Sequence, residues 1–279
     1  MTVEPRLGLV VALEAEGRAL LGSSGWLREG GRAVRRLRLP DGTRLLCARG
    51  GVGVERGMSA ARWLVGEGAT ALAVMGVSGG LDPTLRTGDL VVAEAILERR
   101  EGEADRAWET DAEGTGFLYE ALASTGLPLR RGAAVTTVQP VLTTAGKCRL
   151  HEQCGALVVD TECAAVAHIA SDSGLPLVVL RAVCDTANHP VPADLQDCLR
   201  DDGTVVPSAL VRRLAGRPSL VRDAVRMARA FSTALRSLGQ AWRALNRGGV
   251  PARLASGDAI PRRSHSEQER GPDAAGFSR

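Results

Sequence analysis

The stretch ALVVDTECAAVAHIASDSGLPLVVLRAVCD, Ala156–Asp185, decides the fold class. It opens on a short apolar run, Ala156–Val159, passes into a span of helical character, Glu162–Asp172, and is punctuated by Gly174-Leu175-Pro176. Leu177–Val183 then carries one charge, Arg181, among aliphatic residues. A short apolar run bounded by turn residues reads as a strand buried on both faces. Strand, helix and strand in such close succession form the unit from which α/β sheets are built.

The same alternation extends outward on both sides. Leu7–Leu21, LGLVVALEAEGRALL, reads as a buried strand feeding a helix. Arg32–Leu39 and Arg44–Ala48 flank Asp41-Gly42, the signature of a hairpin. A glycine-rich loop, Gly50–Gly53, precedes a helix over 56–67 and a buried strand over Ala71–Gly76. Further strands are predicted over Leu90–Leu97 and Gly132–Val138, further helices over Phe117–Ser124 and Thr144–Cys154, and a polar loop over Arg99–Thr115. The expected architecture is a three-layer α/β/α fold with a mixed, largely parallel central sheet covered by helices on both faces.

Composition narrows the function classes. The 279 residues are 44% hydrophobic and 24% charged with a net charge of +3, which fits a globular enzyme-sized chain and not a dedicated nucleic-acid binder. Aromatic residues make up 3%, too few for base-stacking platforms. No apolar run approaches the roughly 18 residues needed to span a bilayer, and Met1–Arg6 do not open a signal peptide. Six cysteines without a CxxC spacing fit a reducing compartment, so the cytoplasm is expected.

Four separated pieces carry candidate chemistry: Glu16, the Gly51 and Ser78-Gly79-Gly80 loops, Asp160-Thr161-Glu162, and Arg181 with Asp185. All lie at the carboxyl ends of predicted strands, where open α/β sheets bind ligands. A carboxylate such as Asp185 just beyond a buried strand is a usable general acid, or alternatively caps the turn into Thr186-Ala187-Asn188.

Taken in order, these pieces resemble the nucleoside phosphorylase and nucleosidase superfamily. The resemblance spans about Leu7 to Pro192 and rests on VVALEAEGRALL, GGVGVERG at Gly50, MGVSGGLDPTLRTGDLVV at Met75 and the run Val159–Ala187. It implies that Glu162 holds the ribose hydroxyls, that Asp185 protonates or hydrogen-bonds purine N7, and that Glu16 activates water. Positive charge that builds on the sugar during N-glycosidic cleavage would be stabilised by a carboxylate beneath it. Arg181 is expected to hold Asp185 or bind phosphate.

Three departures from the family pattern stand out. Thr161 replaces a methionine before the ribose glutamate, Val77 takes the place of a serine that moves to Ser78, and Val138-Gln139-Pro140-Val141 lacks a base-stacking ring, leaving backbone near Val141 to read adenine beside Ser78 and Gly79. With Asp185–Pro192, these departures most resemble the hopanoid-associated phosphorylase branch. That branch implies phosphorolysis of an adenine nucleoside with an apolar, lipid-linked 5′ substituent and no cofactor beyond inorganic phosphate, and the wider family implies a homo-oligomer. Arg49 with the amides of Gly50, Gly51 and Gly53 is the expected phosphate site. Glu16 keeps hydrolysis open, and a catalytically silent nucleoside-binding protein is a third reading.

Other signals weigh less. Gly51, Gly53 and Gly57 imitate a dinucleotide fingerprint with the last glycine out of place. Cys148, His151 and Cys154 share a helix face but lack a fourth zinc ligand, so no metal is expected. His168 reads as a core or interface residue, and Lys147, the only lysine, as a surface or helix-end charge. Three regions are expected: a catalytic domain over 1–216, a basic amphipathic helix over 217–247 packed on or appended to it, and a disordered tail over 248–279. Residues 217–247 hold seven arginines and one acid, +6, whereas 1–216 sum to −4. The helix over 218–247, apolar at Ala224, Ala228, Phe231, Leu235, Leu238, Trp242 and Leu245, is a candidate for peripheral membrane contact.

Overall fold

A computed structural model describes residues 4–100, 104–196, 198, 206–217 and 220–256. In chain order the elements are β1 (Arg6–Val11), α1 (Glu14–Leu21), β2 (Leu27–Glu29), β3 (Arg32–Arg38), β4 (Arg44–Arg49), α2 (Val54–Gly66), β5 (Ala71–Gly80), β6 (Leu90–Arg99) and β7 (Arg106–Glu109). They continue with α3 (Ala112–Ala123), β8 (Leu129–Thr137), α4 (Thr144–Cys154), β9 (Val158–Asp160), α5 (Cys163–Asp172), β10 (Leu177–Asp185), α6 (Ala193–Gln196), α7 (Pro207–Gly216), α8 (Leu220–Arg247) and α9 (Val250–Ser256).

The sheet is mixed, as expected, and strand β5 organises it. β5 runs parallel to β1 and to β10 and antiparallel to β9. The path β5–β10–β6–β8–β9 closes back on β5, while β1, β4, β3 and β2 extend from its other side as an open sheet. Along β5 the pairing with β1 ends at Val74 and that with β9 begins only at Gly79. The sheet therefore forks, and Met75–Ser78 have β10 on one side and no strand on the other.

Strand residues alternate between two cores, as the period of two requires. Leu7, Leu9, Val11, Met75, Val178 and Leu180 face one layer. Val10, Leu72, Val74, Leu177 and Val179 face the other, which α2 and α5 cover with Ala60, Ala61, Leu64, Val166 and Ile169. Local signals set the helix ends: Asp111 caps α3 through Gly114 N, Thr143 caps α4 through Gly146 N, and Gly155 closes α4 in the left-handed region at φ 67°.

Two expectations are corrected, and an alternative left open is narrowed. The polar span 99–115 contains β7, which pairs with β6 as an edge strand, and the start of α3; partial exposure of β7 hides it from a hydrophobicity reading. Helix α8, which the sequence left either packed on the region before it or appended to it, is packed on the sheet, with Ala234, Leu238, Ala241, Trp242 and Leu245 in the first core. Apart from Leu220 at its start, its buried residues lie in the C-terminal half, and Ala228 is exposed. The tail expected from 248 onward instead begins with α9, whose Val250, Leu254 and Ala255 join the same core; 257–279 lie outside the described residues.

Candidate active site

The fork in β5 builds the site. With no strand on the side of Val77 away from β10, its backbone groups take side-chain partners: Val77 N donates to Glu16 Oε1 at 2.8 Å, and Val77 O accepts from Arg181 Nη1 at 3.4 Å. Glu16 reaches the fork because β1 passes directly into α1, and its other oxygen accepts from Ala12 N at 2.9 Å and Leu13 N at 2.8 Å. The carboxylate is buried. Burial pushes its pKa up from 4.5 to about 7, opposed by the Leu13 amide, the Arg181 charge and the Val77 amide. Glu16 thus exchanges a proton near neutrality. Gly76 is required here, since a Cβ would lie 2.6 Å from Glu16 Oε1 and 2.7 Å from Arg181 Nη1.

Arg181 joins Glu16 to a second acidic group. Its Nη2 donates to Asp160 Oδ2 at 2.6 Å and lies 3.7 Å from Glu162 Oε2. Asp160 is buried yet held below its ordinary pKa; desolvation raises it, but the Arg181 charge and the hydrogen bonds from Cys163 and Thr136 outweigh that. Asp160 Oδ1 also accepts from the Glu162 and Cys163 amides, fixing the turn that presents Glu162. Glu162 is raised, first by burial and next by Asp160, with Arg181 opposing. Its Oε1 accepts from Gly53 N at 2.8 Å and from the Thr161 hydroxyl. The residue put in place of methionine therefore serves the glutamate by hydrogen bonding.

Asp185 stands at the end of β10, its Oδ2 3.1 Å from where a Cβ on Gly79 would be. Its carboxylate pairs with Lys147 Nζ and accepts from Cys184 Sγ at 3.0 Å. Lys147 is wholly buried, which overturns its reading as a surface or helix-end charge. The available signal was helical spacing: Leu150, one turn further along α4, is buried on the same inward face. Arg181 is likewise corrected, because it binds Asp160 and approaches Glu162 instead of holding Asp185.

The expected phosphate cradle is also corrected. Gly50 N donates to Val11 O, Gly51 N to Ala12 O and Gly53 N to Glu162, while Arg49 pairs with Glu14 at 2.9 Å. These three amides serve protein acceptors and are not open to an anion. Gly57 instead lets α2 approach Glu162, whose Cβ lies 3.2 Å from where a Gly57 Cβ would sit. Ser78 Oγ is buried without a hydrogen-bond partner among the described residues, and Val141 packs beside Leu150, Ala156 and Val159. Neighbouring Val138 is 54% exposed and offers no ring.

The remaining minor signals find local partners. Cys148 Sγ bonds Glu152, His151 Nδ1 meets Ala156 O and Cys154 Sγ meets Leu150 O. His168 is half-exposed beside Asp172 and the Trp108 ring.

The chain is 26% identical over 182 residues to a 5′-methylthioadenosine/S-adenosylhomocysteine nucleosidase of Mycobacterium bovis, covering 53% of this chain and 71% of that one. Its fold matches the Helicobacter pylori enzyme of the same name with a TM-score of 0.67 at 17% identity, over 91% of this chain and 100% of that one. It also matches Helicobacter pylori futalosine hydrolase with a TM-score of 0.68 at 16% identity, over 88% and 98%. The Phosphorylase superfamily pattern covers residues 6–251, from β1 into α9, and the chain belongs to that family.

Proposed function

We propose that the protein cleaves the N-glycosidic bond of an adenine nucleoside by hydrolysis. The observation that carries this reading is Glu16: a buried carboxylate at the sheet fork, with a pKa of about 7, can take a proton from attacking water. Glu162, on its loop against Gly53, would hold the ribose, and Asp185 would meet purine N7. The named nucleosidase relatives support the same substrate class.

Phosphorolysis is the second reading. It rests on the Ser78 hydroxyl, buried and unpartnered beside Gly79, which offers a hydrogen bond to an anion that the Gly50 loop does not. The likeness of Asp185–Pro192 to the hopanoid-associated branch supports an apolar 5′ substituent of the adenosylhopane kind. A peripheral membrane contact would suit such a substrate. The outward arginines of α8, with Val221 and Val225 at 44% and 43% exposure, support that contact on an anionic surface.

The test is adenine release from 5′-methylthioadenosine and from an adenosine with a long 5′-alkyl group, each with and without phosphate. Equal release without phosphate is expected, and strict phosphate dependence would replace hydrolysis by phosphorolysis. Faster turnover of the alkyl substrate supports an apolar 5′ substituent.

A further inference from the structure

We propose that Lys147 is a positioning residue for the leaving base, supplying through Asp185 the proton that adenine carries away. This rests on the reading of Asp185 as the residue that meets purine N7. Lys147 is the only lysine among 35 basic residues, and its side chain is fully buried. Among the described residues its Nζ faces acceptors alone: Asp185 Oδ2, the carbonyls of Thr186 at 3.0 Å and His189 at 3.4 Å, and Asp185 O at 3.5 Å. An ammonium has three N–H donors and no lone pair, so this nest of oxygens fits the charged form.

The Asp185 carboxylate, in contrast, is partly open, with its side chain 25% exposed. It lies between a sealed cation and the space over Gly79. The other titratable groups facing the pair are the Cys184 thiol on Oδ1, His189, whose Nδ1 meets the Thr186 hydroxyl at 2.8 Å, and Glu16 beyond Cys184. Burial first, then the Asp185 charge, pushes the Cys184 thiol well up, so Cys184 stays a hydrogen-bond donor to Asp185.

The step balances. As the C1′–N9 bond breaks and its electron pair passes to the base, Lys147 Nζ gives one proton to Asp185 Oδ2 and Asp185 gives one to N7. Adenine leaves neutral and Lys147 is left as the amine. The attacking water loses one proton to Glu16, and once the products depart Glu16 releases that proton to solvent and Lys147 regains one from it.

Lys147→Met tests this beside Asp185→Asn, with folding followed by circular dichroism. The expected result is a kcat lowered about 100-fold with KM within threefold of wild type. A kcat within threefold of wild type, or a loss carried by KM alone, overturns the proposal. If Asp185→Asn itself releases adenine normally, it is the assignment of Asp185 that fails. Should Lys147→Met not fold, a chain that keeps Lys147 still decides: lysine labelled with nitrogen-15 at Nζ gives one resonance. That resonance is expected to move in Asp185→Asn, whereas a resonance unchanged in that variant overturns the relay.

Discussion

Glu16 links stability and activity through one proton. Its folded-state pKa of about 7 lies above the unfolded 4.5, so the native state binds the proton more tightly. That contribution is fully present below pH 4.5 and is lost as pH rises through 7, amounting to about 3 kcal/mol. Thermal melts of the wild type should therefore fall between pH 5 and 8, and Glu16→Gln should flatten that segment. Hydrolysis needs the ionised form, so adenine release should rise through pH 7 and fall roughly 100-fold or more in Glu16→Gln. Glu16, Glu162 and Asp185 stood out as candidates because carboxylates at strand ends are conspicuous and the motifs are ordered. Lys147 and the partners of Arg181 were not, since both depend on which carboxylate folds nearest. The Gly50 loop misled for a related reason: free amides and amides consumed by a neighbouring strand have the same sequence.

Among the elements, β5 and its glycines are the most constrained. Gly76→Ala would place a methyl against Glu16 and Arg181 at 2.6 and 2.7 Å. The expected cost is about 1–3 kcal/mol in a denaturant titration, accompanied by loss of adenine release as both side chains are displaced. Most strands and helices were readable from their apolar period, because burial on two faces leaves few alternatives for β1, β5 and β10. β7 was not, because this short edge strand is largely exposed and shows no apolar run. The short α9 was missed because it lies within a Gly-, Pro- and charge-rich context, although four of its seven residues are buried.

At the scale of the molecule, α8 is part of the enzyme's core. Trp242→Ala should cost about 3–5 kcal/mol. Truncation after residue 216 should leave an unfolded or aggregated product by size-exclusion chromatography, because it strips one face of the sheet. Membrane contact is therefore to be tested by surface changes: Arg222→Glu, Arg226→Glu and Arg229→Glu together should abolish co-sedimentation with anionic vesicles without altering the melt. Undiminished binding would remove α8 from consideration. The amphipathic period of this helix was legible, but the stripe alone did not say whether sheet or lipid would cover it.

The forked sheet has a spectroscopic consequence. Val77 N–H, unlike its strand neighbours, is bonded to a carboxylate whose charge changes near pH 7. Its amide proton chemical shift should therefore follow the ionisation of Glu16, with an inflection that Glu16→Gln erases, so that one backbone resonance reads the charge of the site with no ligand added.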